Sequence, residues 1–158
     1  MRVVIGADEY DPLLEVIQAE LARRGHDVRL VGARPAAPVP WGVVAIDVAE
    51  RVAARDADQG ADMGIVCCYT GTGVCMAANK VAGVRAALCN DAETARGART
   101  WNDANVLALS LRLTTPTLAR EILAAWLEAA YGGTEAVSLE ALQGQEASAR
   151  RSATLARR

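Results

Sequence analysis

The run Gly64 to Lys80, GIVCCYTGTGVCMAANK, constrains the fold of this chain more than any other stretch. It opens as a short apolar segment, Gly64 to Cys68, of the kind that makes a strand covered on both faces. The glycine-bearing loop Tyr69-Thr70-Gly71-Thr72-Gly73 follows, and then a small-residue helical segment from Val74 to Asn79. Strand, glycine loop and helix start aim backbone N–H groups at an anion or a developing oxyanion. Cys68 closes the strand at the lip of that nest, where positive backbone dipoles favour a thiolate. One stretch thus offers a base or nucleophile beside an oxyanion cradle. Two plainer readings stand next to it: Cys68 as a small buried hydrophobe, and the loop as an ordinary strand-to-helix turn. The loop has neither the Lys-Ser/Thr ending of a P-loop nor the spacing of a dinucleotide fingerprint.

The rest of the chain repeats the strand-helix alternation. Arg2 to Gly6 reads as a buried strand, followed by the acidic loop Ala7 to Asp11. Pro12 suits a first helical turn, and Leu13, Leu14, Ile17 and Leu21 recur at helical spacing up to Gly25. Val28 to Val31 is a second strand, and the proline-rich Gly32 to Pro40 a surface loop. Trp41 to Arg55 is a helix with Val44, Val48 and Val52 on one face. After the central stretch, Gly83 to Cys89 and Asn105 to Leu109 are strands, separated by a helix that Asp91 can cap. Thr115-Pro116 opens an amphipathic helix carrying Leu118, Ile122, Leu123, Trp126 and Leu127 toward the core. A weak helix from Ala136 to about Ala147 ends in a polar, frayed tail, 148–158. The expected architecture is α/β, a Rossmann-like three-layer sandwich with a five-stranded parallel sheet, in one domain over 1–147. The loops at Asp8, Cys68, Asn90 and Ser110 then share one mouth at the carboxyl ends of the strands.

A net charge of −2 with scattered arginines argues against a nucleic-acid partner, and no apolar run reaches the length of a membrane span. The N-terminus has no signal-peptide layout. Cys67, Cys68, Cys75 and Cys89 have neither metal-ligand nor disulfide-framework spacing, which fits a reduced, cytoplasmic setting. Cys67, Cys75 and Cys89 read as packing residues. Asp8 suits a ligand to a sugar hydroxyl or a solvated loop acid, and Asn102-Asp103 a substrate contact or a turn cap.

From Met1 to about Gly133 the chain resembles the ribose-5-phosphate isomerase B family, which includes the two subunits of galactose-6-phosphate isomerase. The blocks that carry the resemblance are CYTGTGVCMAANK (68–80), VAGVRAALCND (81–91) and WNDANVLALSLR (101–112). The family's usual forms are close to C-G-T-G-x-G-x-x-x-A-A-N-K and H-N-D-x-N-V-L-x-x-G-x-R. The resemblance implies aldose–ketose isomerisation through a cis-enediolate, without cofactor or metal, on a small sugar or sugar phosphate. It implies a homodimer or homotetramer with active sites at the subunit interface. Residue by residue, Cys68 and Thr70 match the catalytic positions. Asp8, Glu9, Tyr69, Gly71, Thr72, Gly73, Trp101, Asn102 and Arg112 stand where substrate is bound.

Four positions depart from the family pattern. Glu9 and Trp101 replace histidines, Tyr69 replaces a glycine, and the segment Gly132 to Ser138 lacks the usual phosphate-gripping arginines. Arg112 alone remains of that basic set. A carboxylate at Glu9 about 5 Å from a phosphate charge costs about 3 kcal/mol at an effective dielectric of about 20. Indole cannot exchange a proton with a ring oxygen, so Trp101 does not open a furanose, though it can stack on a sugar face. The departures imply an altered substrate, such as a non-phosphorylated or open-chain sugar, a tetrulose or modified pentose among them. Two alternatives stay open. One is a binding or structural subunit without turnover. The other is an ordinary ribose-5-phosphate isomerase whose phosphate site is rebuilt from Arg150, Arg151 or another arginine of a partner subunit.

Overall fold

Met63 to Cys68 carries no charged side chain, and it lies at the centre of the sheet, buried along its whole length. The computed structural model describes residues 1–54 and 60–155. Its elements alternate as β1 (Arg2–Ala7), α1 (Leu13–Arg23), β2 (Asp27–Gly32), α2 (Trp41–Ala54), β3 (Met63–Cys68) and α3 (Thr72–Ala78). They continue as β4 (Ala86–Leu88), α4 (Ala92–Thr100), β5 (Val106–Ser110), α5 (Pro116–Glu128) and α6 (Ala136–Leu155). The five strands are parallel, in the order β2-β1-β3-β5-β4. The chain winds one way from β1 to β2 and the other way from β1 to β3. Their carboxyl ends therefore flank the crevice where sheets of this kind take ligands.

Successive strand side chains point to opposite faces, and the two faces are filled differently. Val3, Ile5, Ile65, Cys67, Leu107 and Leu109 meet Leu14, Ile17, Leu21, Ile122, Leu123 and Trp126 of α1 and α5. On the other side Val4, Val66, Cys68, Val106 and Ala108 meet the smaller Ala45, Val48, Val52, Val74 and Ala78 of α2 and α3. Cys67 and Cys68 thus face separate layers. The α2 layer lies very close to the sheet: a methyl built on Gly64 would sit 2.7 Å from Val48 Cγ1. Side chains the size of valine, each contributing about 1.5–3 kcal/mol when buried, fill what space remains.

Caps form where the sequence leads one to expect them. The Asp91 carboxylate accepts from Thr94 N at 2.7 Å to start α4, and Thr115 Oγ1 accepts from Leu118 N at 3.2 Å to start α5. Three boundaries differ by two residues or more. The helix after the glycine loop starts at Thr72, two residues before Val74. β4 is confined to Ala86–Leu88, because Asn105 Oδ1 accepts from Arg85 N at 2.8 Å and takes that donor away from the sheet. The expected polar tail from residue 148 is instead helical through Leu155. Ala, Gln, Glu and Arg sustain a helix by propensity without an apolar stripe, which is why the segment reads as a tail. Residues 156–158, and Arg55 at the expected end of α2, lie outside the described residues.

Candidate active site

The mouth is assembled by hydrogen bonds between the ends of β3 and β5. Cys68 pairs in register with Ser110, and Leu111 N donates to Cys68 O at 3.0 Å. One residue on, Tyr69 O accepts from Arg112 N at 3.0 Å and from the buried Ser110 Oγ at 2.9 Å. The glycine loop then turns back through Gly71, whose N–H donates to Cys68 O at 3.2 Å. Gly71 has φ +75°, and a methyl there would meet Leu88 Cδ1 at 2.6 Å and the Leu109 carbonyl at 2.9 Å. Only glycine fits this turn. The α3 N-cap is Gly71, so no side chain caps the first-turn N–H groups of Thr72 and Gly73. Thr70 and Thr72 share a hydrogen bond between their hydroxyls at 2.7 Å.

Cys68 is buried at 6% exposure on this lip. Burial pushes the other three thiols up: Cys89 to about 12, Cys75 less far, and Cys67 well beyond the ordinary thiol range. Those three are packing residues, as their positions in the sequence suggest. Asp8 follows Ala7, which pairs with Cys67, so the acid stands beside Cys68 across the β1/β3 crevice. Its Oδ1 is buried without a hydrogen-bond partner, and desolvation raises its pKa against the lowering pull of the Asp8 and Glu9 backbone N–H groups. An orphaned carboxylate oxygen in a crevice is costly for folding and useful for gripping a hydroxyl. Glu9 and Tyr69 are exposed at the rim. The Arg112 guanidinium stacks 5.8 Å from the Tyr69 ring centroid and donates to its hydroxyl at 2.9 Å.

Trp101 and Asn102 are elsewhere. They lie in the α4–β5 connection, before β5, whereas Cys68 pairs with the last residue of β5. The strand between spans about 13 Å at roughly 3.3 Å per residue. Trp101 packs its ring on Gly97 and leaves 54% of its surface exposed. The segment that lacks the family arginines runs beside it, with Gly132 N donating to Thr100 O at 2.9 Å. Asn102 borders a cavity of about 500 Å³ under α6, with Asn79, Arg85, Leu142 and Glu146. Within one chain, then, Asp8, Glu9, Cys68 to Gly73 and Arg112 come together, and Trp101 and Asn102 do not join them.

Three contacts that support the mouth are not evident in the sequence, although the sequence does place the Ser110 loop there. Ser110 ties Tyr69 and also accepts from Leu113 N at 3.2 Å. The proline-rich loop reaches across to Asp8, with Val39 N donating to Asp8 O at 2.8 Å. Trp41, at the start of α2, lies so close over Gly73 that a methyl there would meet its ring at 3.2 Å. A serine ending an apolar strand is the one signal that points to any of them.

A doubly wound sheet with a thiol, an orphaned acid and an open N–H loop at its switch point is the layout of a small-molecule enzyme. The chain belongs to the ribose/galactose isomerase family, whose profile matches residues 3–142. The D-erythrulose-4-phosphate isomerase of Pectobacterium atrosepticum is 39% identical over 142 residues, covering 89% of this chain and 91% of its own. Ribose-5-phosphate isomerase B from Clostridium thermocellum superposes with a TM-score of 0.87 at 36% identity, over 94% of this chain and 99% of that one. Ribose-5-phosphate isomerase B from Mycoplasma genitalium, solved with bound ribulose-5-phosphate, gives 0.83 at 33% identity, over 92% and 95%.

Proposed function

We propose that this protein is an aldose–ketose isomerase for a short, open-chain sugar phosphate of the tetrulose class. The observation that carries the reading is the placement of Cys68 beside Asp8, whose Oδ1 is unsatisfied, at the β1/β3 crevice, next to the Thr72–Gly73 turn that no side chain caps. The Cys68 thiolate takes the proton from the carbon next to the carbonyl and returns it to the former carbonyl carbon. A hydroxyl proton crosses between the two oxygens meanwhile, so atoms balance and no oxidant is needed. The loop N–H groups stabilise the charge that develops on the enediolate oxygen. Asp8 accepts from a substrate hydroxyl and holds the chain in line. Asn102 and Trp101 reach this mouth from a second copy of the chain, since their own end of the sheet is a strand length away.

The substrate class follows from Trp101. A tetrulose 4-phosphate has no fifth carbon, and its aldose isomer carries the phosphate on the oxygen that would close a furanose. Both stay open-chain, so neither needs the proton relay that indole cannot supply. The sugar-phosphate substrates in the names of the relatives, and the D-erythrulose-4-phosphate isomerase among them, support this reading and favour it over the unphosphorylated sugar that the Glu9 charge implies. The test is deuterium wash-in at the carbon next to the carbonyl, followed by NMR. Tetrulose and pentulose phosphates and their unphosphorylated forms are compared, beside a Cys68→Ala control. Cys68-dependent exchange that is fastest on the tetrulose phosphate is expected. Exchange on ribulose-5-phosphate at equal rate would overturn the substrate class, and none on any sugar would make the protein a binding subunit.

A further inference from the structure

We propose that Tyr69 is a positioning residue that holds Arg112 in place as the mouth's grip on a phosphate monoester. This deepens the proposed function and rests on it for the identity of the site. The Tyr69–Arg112 pair is joined three ways: ring to guanidinium at 5.8 Å, Arg112 Nη1 to the Tyr69 hydroxyl at 2.9 Å, and Arg112 N to Tyr69 O at 3.0 Å. The last bond lies next to Leu111 N to Cys68 O, so the guanidinium and the proposed base are fixed to the same pair of strand ends.

The charge on Arg112 is not consumed inside the molecule. Arg2, Arg23, Arg24, Arg51, Arg85 and Arg96 each meet a carboxylate, and among the described residues Arg112 meets none. A guanidinium has five N–H donors; one is given to Tyr69, and the others remain for the paired oxygens of a phosphate. The tyrosine hydroxyl accepts from Arg112, which leaves its own hydrogen free for the same anion. Tyr69 is 56% exposed, so its ring contributes little to the core, and its contact with Arg112 is what orders it. An arginine held by stacking loses less side-chain freedom when an anion arrives than one that is loose in solvent. A single ordered arginine can thus stand in for the cluster missing from Gly132 to Ser138.

The experiment is titration of the full-length protein with inorganic phosphate, by calorimetry and ³¹P NMR, for wild type, Tyr69→Phe, Tyr69→Leu and Arg112→Gln. Tyr69→Leu is expected to weaken phosphate binding roughly tenfold and Tyr69→Phe, which keeps the stacking, a few-fold. Arg112→Gln is expected to abolish it. In turnover with a tetrulose phosphate the Tyr69→Leu loss should fall on KM more than on kcat. Phosphate affinity that is unchanged in Tyr69→Leu, or absent in wild type, would overturn the proposal. Phosphate binding that depends on Tyr69 and Arg112 in a protein that exchanges no sugar would leave the grip standing and remove the isomerase reading instead. Circular dichroism of each variant separates misfolding from lost binding, and the isosteric Tyr69→Phe gives a readout even if Tyr69→Leu does not fold.

Discussion

The two ends of the sheet treat charge in opposite ways. At the amino end the acids are matched. Asp62 meets Arg2, Asp103 meets Arg85 at 2.6 Å, and Glu20 meets both Arg23 and Arg24, at 2.6 and 2.7 Å. At the carboxyl end Asp8 is desolvated with an unpartnered oxygen, and Arg112 leans on a tyrosine ring. The named pairs at the first end meet each other's needs, whereas Asp8 and Arg112 at the second meet no oppositely charged side chain among the described residues. Under the proposed function, the asymmetry separates residues that stabilise the fold from residues that lose stability for function.

The sharpest way to break this comparison is to remove the thiol. Cys68→Ala is expected to lower deuterium exchange by roughly 10²- to 10⁴-fold, the usual contribution of a positioned base. Its melting temperature should change little, because a small side chain replaces a small one. An unchanged exchange rate would make the carboxyl end merely a strained corner. Next in size is the trans arrangement. Asn102→Ala and Cys68→Ala proteins, each nearly inactive, should recover about a quarter of wild-type activity when mixed, unfolded and refolded together. Random pairing in a two-fold dimer makes half the molecules mixed, each with one intact site. No recovery would mean that Asn102 acts in its own subunit or not at all.

How far the two ends were legible beforehand follows the same divide. The glycine loop, Cys68, Asp8 and the alternation of elements are local patterns, and each lies where its own neighbours in sequence put it. The separation of Asn102 from Cys68 depends on which end of β5 each one joins, which becomes visible only when register is known. Trp41 over Gly73 and Val39 on Asp8 are contacts between remote segments with no local signature. The helical continuation of α6 past residue 147 was hidden for a different reason. Periodicity reports burial, and a helix exposed nearly all round has little to report.

A smaller effect tests the unpaired end through stability. Asp8→Asn keeps the shape and removes a charge that burial disfavours. Because the folded protein raises this carboxyl above its ordinary 3.8, the ionised form costs stability at neutral pH and the protonated form does not. The variant should therefore melt higher than wild type at pH 7 while losing activity, and the gap should close as the pH falls toward 3.8. A lower melting temperature at neutral pH would mean that Asp8 has a stabilising partner after all.

The smallest expected effect comes from the matched end, and its sign is reversed. Hydrogen bonds from Arg23 and then Arg24 pull the Glu20 carboxyl from its ordinary 4.5 down to about 2. Stabilisation from the ionised form is then complete above 4.5 and is lost as the pH falls through about 2. Glu20→Gln should melt lower than wild type at pH 7, by an amount that shrinks in acid over that window, and added salt should narrow the difference. Thermal melts at pH 7, 4 and 2 on both Asp8→Asn and Glu20→Gln put the two ends side by side. Opposite signs at neutral pH that converge in acid are what a molecule with one matched and one open end must show. Like signs would mean that burial, and not the division of labour between the ends, governs both carboxylates.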